Sequence, residues 1–296
     1  MSISTEHDLL MERVAAGERL SADSIRELAG TPDILSLGML GDVVRRRLHD
    51  RRATFLRVAE CPLETPALSA GLEKAQEIRI TGSPAQLDDA IRAVEAISAL
   101  GGRTVSAFTW ADVERLAAGS TITDVLTRLR RAGLDSLSTL PIDALADPAA
   151  VVDQLASAGF TQIRLTVDKG PANARASLLL LAAELQDRVG CIQAINPLPM
   201  TLTAFRPTTG YDDVKMVAIA RLAAPNIPTV QVDWRRYGPK LAQVALSFGA
   251  DDIDGVSASD EAPEGRRRAP LEEITRNIEA AGFDAVERTG RFTALA

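Results

Sequence analysis

The chain has 296 residues, 46% hydrophobic and 25% charged, with a net charge of −7 and a pI near 5.1. Acidity and only 4% aromatic residues argue against nucleic-acid or anionic-membrane partners, which need basic grooves and stacking platforms. No apolar run reaches the ~20 residues of a membrane span, MSISTEHDLLMER is too polar for a signal peptide, and two cysteines make no disulfide framework, so a soluble, cytoplasmic protein is expected.

The first ~50 residues read as helices packed on the remainder of the chain. LLMERVAAG closes on Gly17, LSADSIRELAG starts behind a Ser21 N-cap and stops at Gly30, and PDILSLGMLGDVVRRRLHD gathers basic residues in its last turn. From residue 54 short strands alternate with amphipathic helices. The strands are expected at 54–58, 77–81, 104–109, 134–138, 161–167, 191–197, 229–233 and 252–256. The intervening helices include AQLDDAIRAVEAISALG, ITDVLTRLRRAG, PAAVVDQLASAG, YDDVKMVAIARLA and LEEITRNIEAAG, and many end on glycine. That alternation implies a parallel sheet. About eight units in ~240 residues fit an α/β fold of the (β/α)8 TIM-barrel type better than an open doubly wound sheet. Residues 1–50 are then an N-terminal helical segment, 51–296 the barrel, and 257–270 an inserted loop. Function is expected at the C-terminal ends of the strands.

Several collinear segments resemble one family, the radical S-adenosylmethionine enzymes that make aminofutalosine on the futalosine route to menaquinone, with the dehypoxanthine futalosine cyclases. The resemblance is densest in TTGYDDVKMVAIARLAAPNIPTVQVDWRRYGPKLAQVALSFGADDIDGV (208–256), carried by Thr209, Gly210, Asp213, Ala220, Arg221, Asn226, Pro228, Trp234, Gly238, Lys240, Gln243, Phe248, Gly249 and Asp252. GERLSADS, VVRRRLHDRRATF, SAFTWADVERL, LRRAGLDSL and ELQDRVGCIQAINPLP continue it in order, over nearly the whole chain. The resemblance implies a radical-enzyme barrel and a place in menaquinone biosynthesis.

The chain departs from the family where the chemistry sits. Family members carry C-x-x-x-C-x-x-C after the first strand, three thiolates that hold a four-iron cluster for cleaving S-adenosylmethionine. Here TFLRV runs into AECPLETPALSAGLEKAQEIRIT, with Cys61 alone. The family's Gly-Gly turn at the methionine moiety is Gly82–Ser83, its Gly-x-x-Glu element is reduced to DKGPAN with Gly170 but no matching Glu, and its glycine-rich stretch after the fourth strand has become STLPIDAL. No four-iron cluster is therefore expected, and S-adenosylmethionine is not assigned as a cofactor.

Cys61, between Glu60 and Glu64, reads as a plain loop residue rather than a nucleophile, and Cys191 as a small core residue opening a strand. His7 and His49 both lie in the helical segment, too few for a metal site, and His49 reads as a helix-end cap. Asp251, Asp252 and Asp254 read as a structural frame for the last strand. Arg206, Arg235 and Arg236, with Trp234 and Tyr237 beside the last two, form either a bidentate clamp for a carboxylate or phosphate or a solvated rim. The candidate ligand-binding residues are thus Gly82, Ser83, Lys169, Asn196, Arg206, Asp233, Arg235 and Arg236, with no metal ligand and no catalytic residue assigned. Two functions are compatible with this set. One is a non-radical paralogue that binds a pathway ligand, or a true aminofutalosine synthase as partner. The other is polar chemistry on an anionic, benzoate-like or nucleoside substrate.

Overall fold

The computed structural model describes residues 3–64, 71–170, 174–201, 209–265 and 267–295. Helices α1 (Ile3–Ala15), α2 (Ala22–Gly30) and α3 (Ile34–His49) come first. Gly17, at φ 86°, takes the left-handed conformation that closes α1. The Ser21 hydroxyl caps α2 by accepting the Ser24 N–H at 3.2 Å. The helix stops at Gly30, as expected, with Thr31 in the C-cap position. His49 likewise ends α3 without capping it, since Asp50 stands there at φ 53°. The imidazole reaches away instead, with Nε2 2.9 Å from the Pro228 carbonyl and 3.4 Å from Asp251, and burial pushes its pKa down.

Eight parallel strands follow: β1 (Arg52–Pro62), β2 (Glu77–Thr81), β3 (Thr104–Thr109), β4 (Ser136–Thr139), β5 (Ile163–Val167), β6 (Ile192–Pro199), β7 (Thr229–Asp233) and β8 (Asp252–Ser257). Their order is β4-β3-β2-β1-β8-β7-β6-β5, every ladder parallel. The two ends of that order meet just beyond β4, where Pro141 bridges Thr166 and the Thr166 backbone bonds Leu140 and Ile142 at 2.9 Å. The sheet is therefore a nearly closed barrel, as the alternating pattern predicted. Helices α4 (Leu87–Ser98), α5 (Trp110–Leu116), α6 (Ile122–Ala132), α7 (Pro148–Ser157), α8 (Arg175–Val189), α9 (Gly210–Ala223), α10 (Trp234–Leu246) and α11 (Pro270–Ala280) cover it. The short α5 was not anticipated as a helix. It springs from the end of β3 through a capping box in which Thr109 and Asp112 serve each other's backbone N–H groups.

Two differences from the expected layout shape the ends of the barrel. β1 is eleven residues long rather than five, so Cys61 is not a loop residue. It sits buried in the strand, paired with Ile80 of β2. The added length has a cause. The first residues of β1 pair with a ninth strand, β9 (Asp284–Glu287), and its last five pair with β2. The chain after β9 then crosses the N-terminal end of the barrel, where Gln162 donates to the Arg291 carbonyl at 3.0 Å and Gly290 packs on Thr104.

α9 anchors the N-terminal helices. Met216 through Ala223 are all buried, Arg221 among them by virtue of its ion pair with Asp251, so the helix requires cover on both faces. The barrel supplies one face and α2 and α3 the other. Contact there is close, because a Cβ on Gly41 of α3 would stand 2.3 Å from the Phe248 carbonyl oxygen.

Candidate functional site

Strand residues alternate faces, and helices cover the outside of this barrel, so its polar strand residues face inward. Glu77 and Arg79 come from β2, Ser106 from β3, Ser136 from β4, Arg164 from β5 and Asp254 from β8. Glu77, fully buried, is the hub. Its carboxylate accepts from Ser106 Oγ at 2.6 Å, Arg79 Nη2 at 2.7 Å and Arg164 Nη1 at 3.0 Å. Arg164 also donates to Ser136 Oγ at 2.9 Å, and Arg79 to both oxygens of Asp254 at 3.0–3.1 Å. Burial alone would raise the pKa of Glu77, but the two guanidiniums and the Ser106 hydroxyl hold it down at about 2. One level lower, Asp252 accepts from Arg288 at 2.5 and 2.8 Å, Thr54 at 2.5 Å and Gln231 at 2.7 Å.

Above this network the C-terminal ends of the strands enclose a cavity of about 600 Å3. Six of the eight residues named from sequence line it: Gly82, Ser83, Asn196, Asp233, Arg235 and Arg236. Asp233 caps α10, accepting the Arg235 and Arg236 N–H groups at 2.9 and 3.1 Å, which brings both arginines to the rim. Neither side chain is free: Arg235 pairs with Glu60, while Arg236 donates to the Met200 carbonyl and lies 3.7 Å from Asp233. Asn196 Oδ1 accepts the Leu198 N–H at 3.2 Å. Ser83 hydrogen-bonds Asp112, whose carboxylate burial pushes up in pKa but whose bonds from Thr109, Ser83 and Arg115 bring below its ordinary value.

Lys169 does not line the cavity. The backbone N–H groups of Asp168, Lys169 and Gly170 converge instead on the Asp143 carboxylate at 2.6, 2.9 and 2.9 Å. Arg206 and the side chain of His7 lie outside the described residues.

The reading of the three C-terminal aspartates as a structural frame needs one correction. Asp251, bonded to Arg221 and to the Val230 N–H at 2.8 Å, and Asp252 are structural, but Asp254 lines the cavity. Glu60 and Ser138, at strand ends where function was expected, also line it, as do Arg79, Arg164, Thr166 and Gln231, which were not singled out from sequence. The signal of those last four, and of Asp254, was in the alternation of EIRIT, IRLTV, TVQVD and the opening of DIDGV, with polar side chains at every second place. One wall residue is strained. Phe108, buried at the end of β3, has φ 57°, a conformation costly for a bulky side chain, and its carbonyl accepts from Ser138 Oγ at 2.7 Å.

Cys61 does not face this cavity. Glu60 points in and Cys61 out, into a hollow of about 510 Å3 between β1, β2 and α4, with Leu63 and Ile97. Cys191 precedes β6 at the other end of the barrel and packs against the core. Burial pushes both thiols up in pKa, away from the thiolate. Among the described residues no group of three or more His, Cys, Asp or Glu could hold a metal ion, and no helix is long and apolar enough to cross a membrane.

Comparison with known proteins adds identity to this geometry. Residues 199–295 match the model of the CofH/MqnC C-terminal region. Over 94% of its length the chain is 26% identical to the aminodeoxyfutalosine synthase of Thermus thermophilus, of which it covers 93%. That alignment runs over 356 positions against a chain of 296, so the relative holds segments absent here. The chain is 31% identical over 55% of its length to a 5-amino-6-(D-ribitylamino)uracil–L-tyrosine 4-hydroxyphenyl transferase of Archaeoglobus fulgidus, but spans only 56% of that relative. Among solved structures, methylornithine synthase superposes with a TM-score of 0.68 at 12% identity, covering 96% of this chain and 98% of that one, a likeness of fold. The C-terminal third of this chain thus matches the CofH/MqnC model, and along most of its length the chain is similar to enzymes of the futalosine route.

Proposed function

We propose that this protein is a cluster-free, non-radical member of its family, a cytoplasmic paralogue that binds a small ligand of the menaquinone route at the barrel mouth or docks on a true aminofutalosine synthase. The observation that carries the reading is the donor set. A four-iron cluster of the family type takes three thiolates from one loop, and this sequence has two cysteines. One sits in β1 facing away from the mouth, and the other lies at the opposite end of the barrel, a strand length of roughly 17–20 Å away. The residues present do not fit the cluster, and no step through it is derived.

The mouth itself favours binding over catalysis. Glu60, Asp112, Asp233 and Asp254 each carry a guanidinium partner, so no carboxylate of the described lining stands unpaired and ready to take a proton. The second reading, polar chemistry on an anionic or nucleoside substrate, draws support from the two rim arginines and loses it to their pairing. Anaerobic reconstitution with iron and sulfide tests the proposal. A protein without the broad visible absorbance of a cluster, unchanged when Cys61 and Cys191 are both replaced by serine, is the expected result. A stoichiometric, cysteine-dependent four-iron signal overturns it.

A further inference from the structure

We infer that the ligand of the mouth cavity is uncharged where it meets the floor, and that it is read by the Thr166 hydroxyl and the Asn196 amide on the β5–β6 wall. The inference rests on the proposed reading of the mouth as a ligand site and narrows its chemistry.

The first observation is charge closure. Among the described lining residues four carboxylates (Glu60, Asp112, Asp233, Asp254) face four guanidiniums (Arg79, Arg164, Arg235, Arg236). The two guanidiniums at the floor are held by Glu77 and Asp254 at 3.0 Å or less, and Glu77 is beyond the reach of solvent. An anion or cation entering here sheds its hydration and finds its counter-charge already engaged. Prising a buried guanidinium from its carboxylate would leave that carboxylate unpaired, a cost larger than the new contact returns.

The second observation is what remains unengaged. Thr166 is 8% exposed, and its Oγ1 is the buried polar side-chain atom of the described lining without a hydrogen-bond partner. A change between staggered χ1 wells is enough to turn the hydroxyl toward a ligand. Asn196 is as deeply placed, and because its Oδ1 is committed to the Leu198 N–H, the Nδ2 hydrogens are its remaining donors. The two sit on neighbouring strands, each one residue past the paired Leu165 and Ile195. A neutral hydroxyl or an amide edge, offering an acceptor to Nδ2 and a donor to Oγ1, meets both groups with no change in charge.

Benzamide, benzoate and benzamidinium, alike in shape and different in charge, test this by calorimetric titration of the full chain. Benzamide is expected to bind at least about ten-fold more tightly than either ion. Asn196→Asp keeps the acceptor for Leu198 and removes the donors, so it should weaken benzamide about ten-fold, while its buried, unpaired charge lowers the melting temperature. If that variant does not fold, Thr166→Val gives the same readout by removing the hydroxyl. Benzoate or benzamidinium matching benzamide, no benzamide binding, or an unchanged benzamide affinity in the folded variant overturns the inference. Benzoate preferred by a protein that reconstitutes no cluster sinks the neutral ligand alone; a cysteine-dependent cluster sinks the parent reading alone.

Discussion

Phe108 shows how a single backbone angle is testable. Its φ of 57° is natural for glycine and strained for any residue with a Cβ. Phe108→Ala removes the ring and keeps the strain, whereas Phe108→Gly removes both, so the glycine variant should be the more stable of the two by roughly 1 kcal/mol. Equal urea midpoints would mean the angle costs nothing. At Glu77 the stakes are larger. Glu77→Gln leaves Arg79 and Arg164 without their shared buried counter-charge, and should cost about 3–5 kcal/mol in urea titrations at neutral pH. Because its folded pKa of about 2 lies below the ordinary value, Glu77 stabilises the protein above pH ~4.3 and loses that contribution as pH falls toward 2. Rim arginines behave differently. Arg235 is 58% exposed and its pairing with Glu60 is a surface contact, so replacing Arg235 and Arg236 by alanine should move stability by no more than about 1 kcal/mol. A loss of several kcal/mol would make them structural.

Among the elements, the loop after β5 and helix α3 each depend on one close contact. Asp143 fixes the loop through three backbone N–H groups. Burial acts to raise its pKa and those donors outweigh it, leaving the folded value below the unfolded one. Its contribution is therefore full above pH ~3.9 and disappears as pH falls through the folded pKa. Between pH 5 and 3 the parent should lose more stability than Asp143→Asn, which already lacks the charge; parallel curves would refute the latch. At α3, Gly41→Ala forces a methyl against the Phe248 carbonyl and should cost about 1–3 kcal/mol. For the same reason a fragment of 51–296 uncovers the outer face of α9 and is expected to be insoluble. A soluble fragment that melts cooperatively would contradict that.

At the scale of the whole molecule, the barrel was legible because strand and helix periods differ, and three of its strands, 77–81, 104–109 and 229–233, fall where the pattern put them. β9 was not legible: four residues, DAVE, carry too little pattern to be seen before their partner β1 is in place. The rim was partly legible from loop composition. The floor was not, because its polar residues look like the solvent face of a one-sided sheet, and their partners are remote, 87 residues apart for Glu77 and Arg164. Arg288 extends the same rule to the far end of the chain. Arg288→Ala strands Asp252 without its cation and should cost about 3–5 kcal/mol. That pairing also bears on the order of events during synthesis. β1 leaves the ribosome early, yet its first residues dock on β9, and the charge beneath its neighbour β8 waits for Arg288. Until those last residues emerge, the nascent chain has an unneutralised acid at the base of an unsealed barrel. Folding of the barrel is thus expected to complete only after β9 and Arg288 have been synthesised, with the growing chain dependent on chaperones until then.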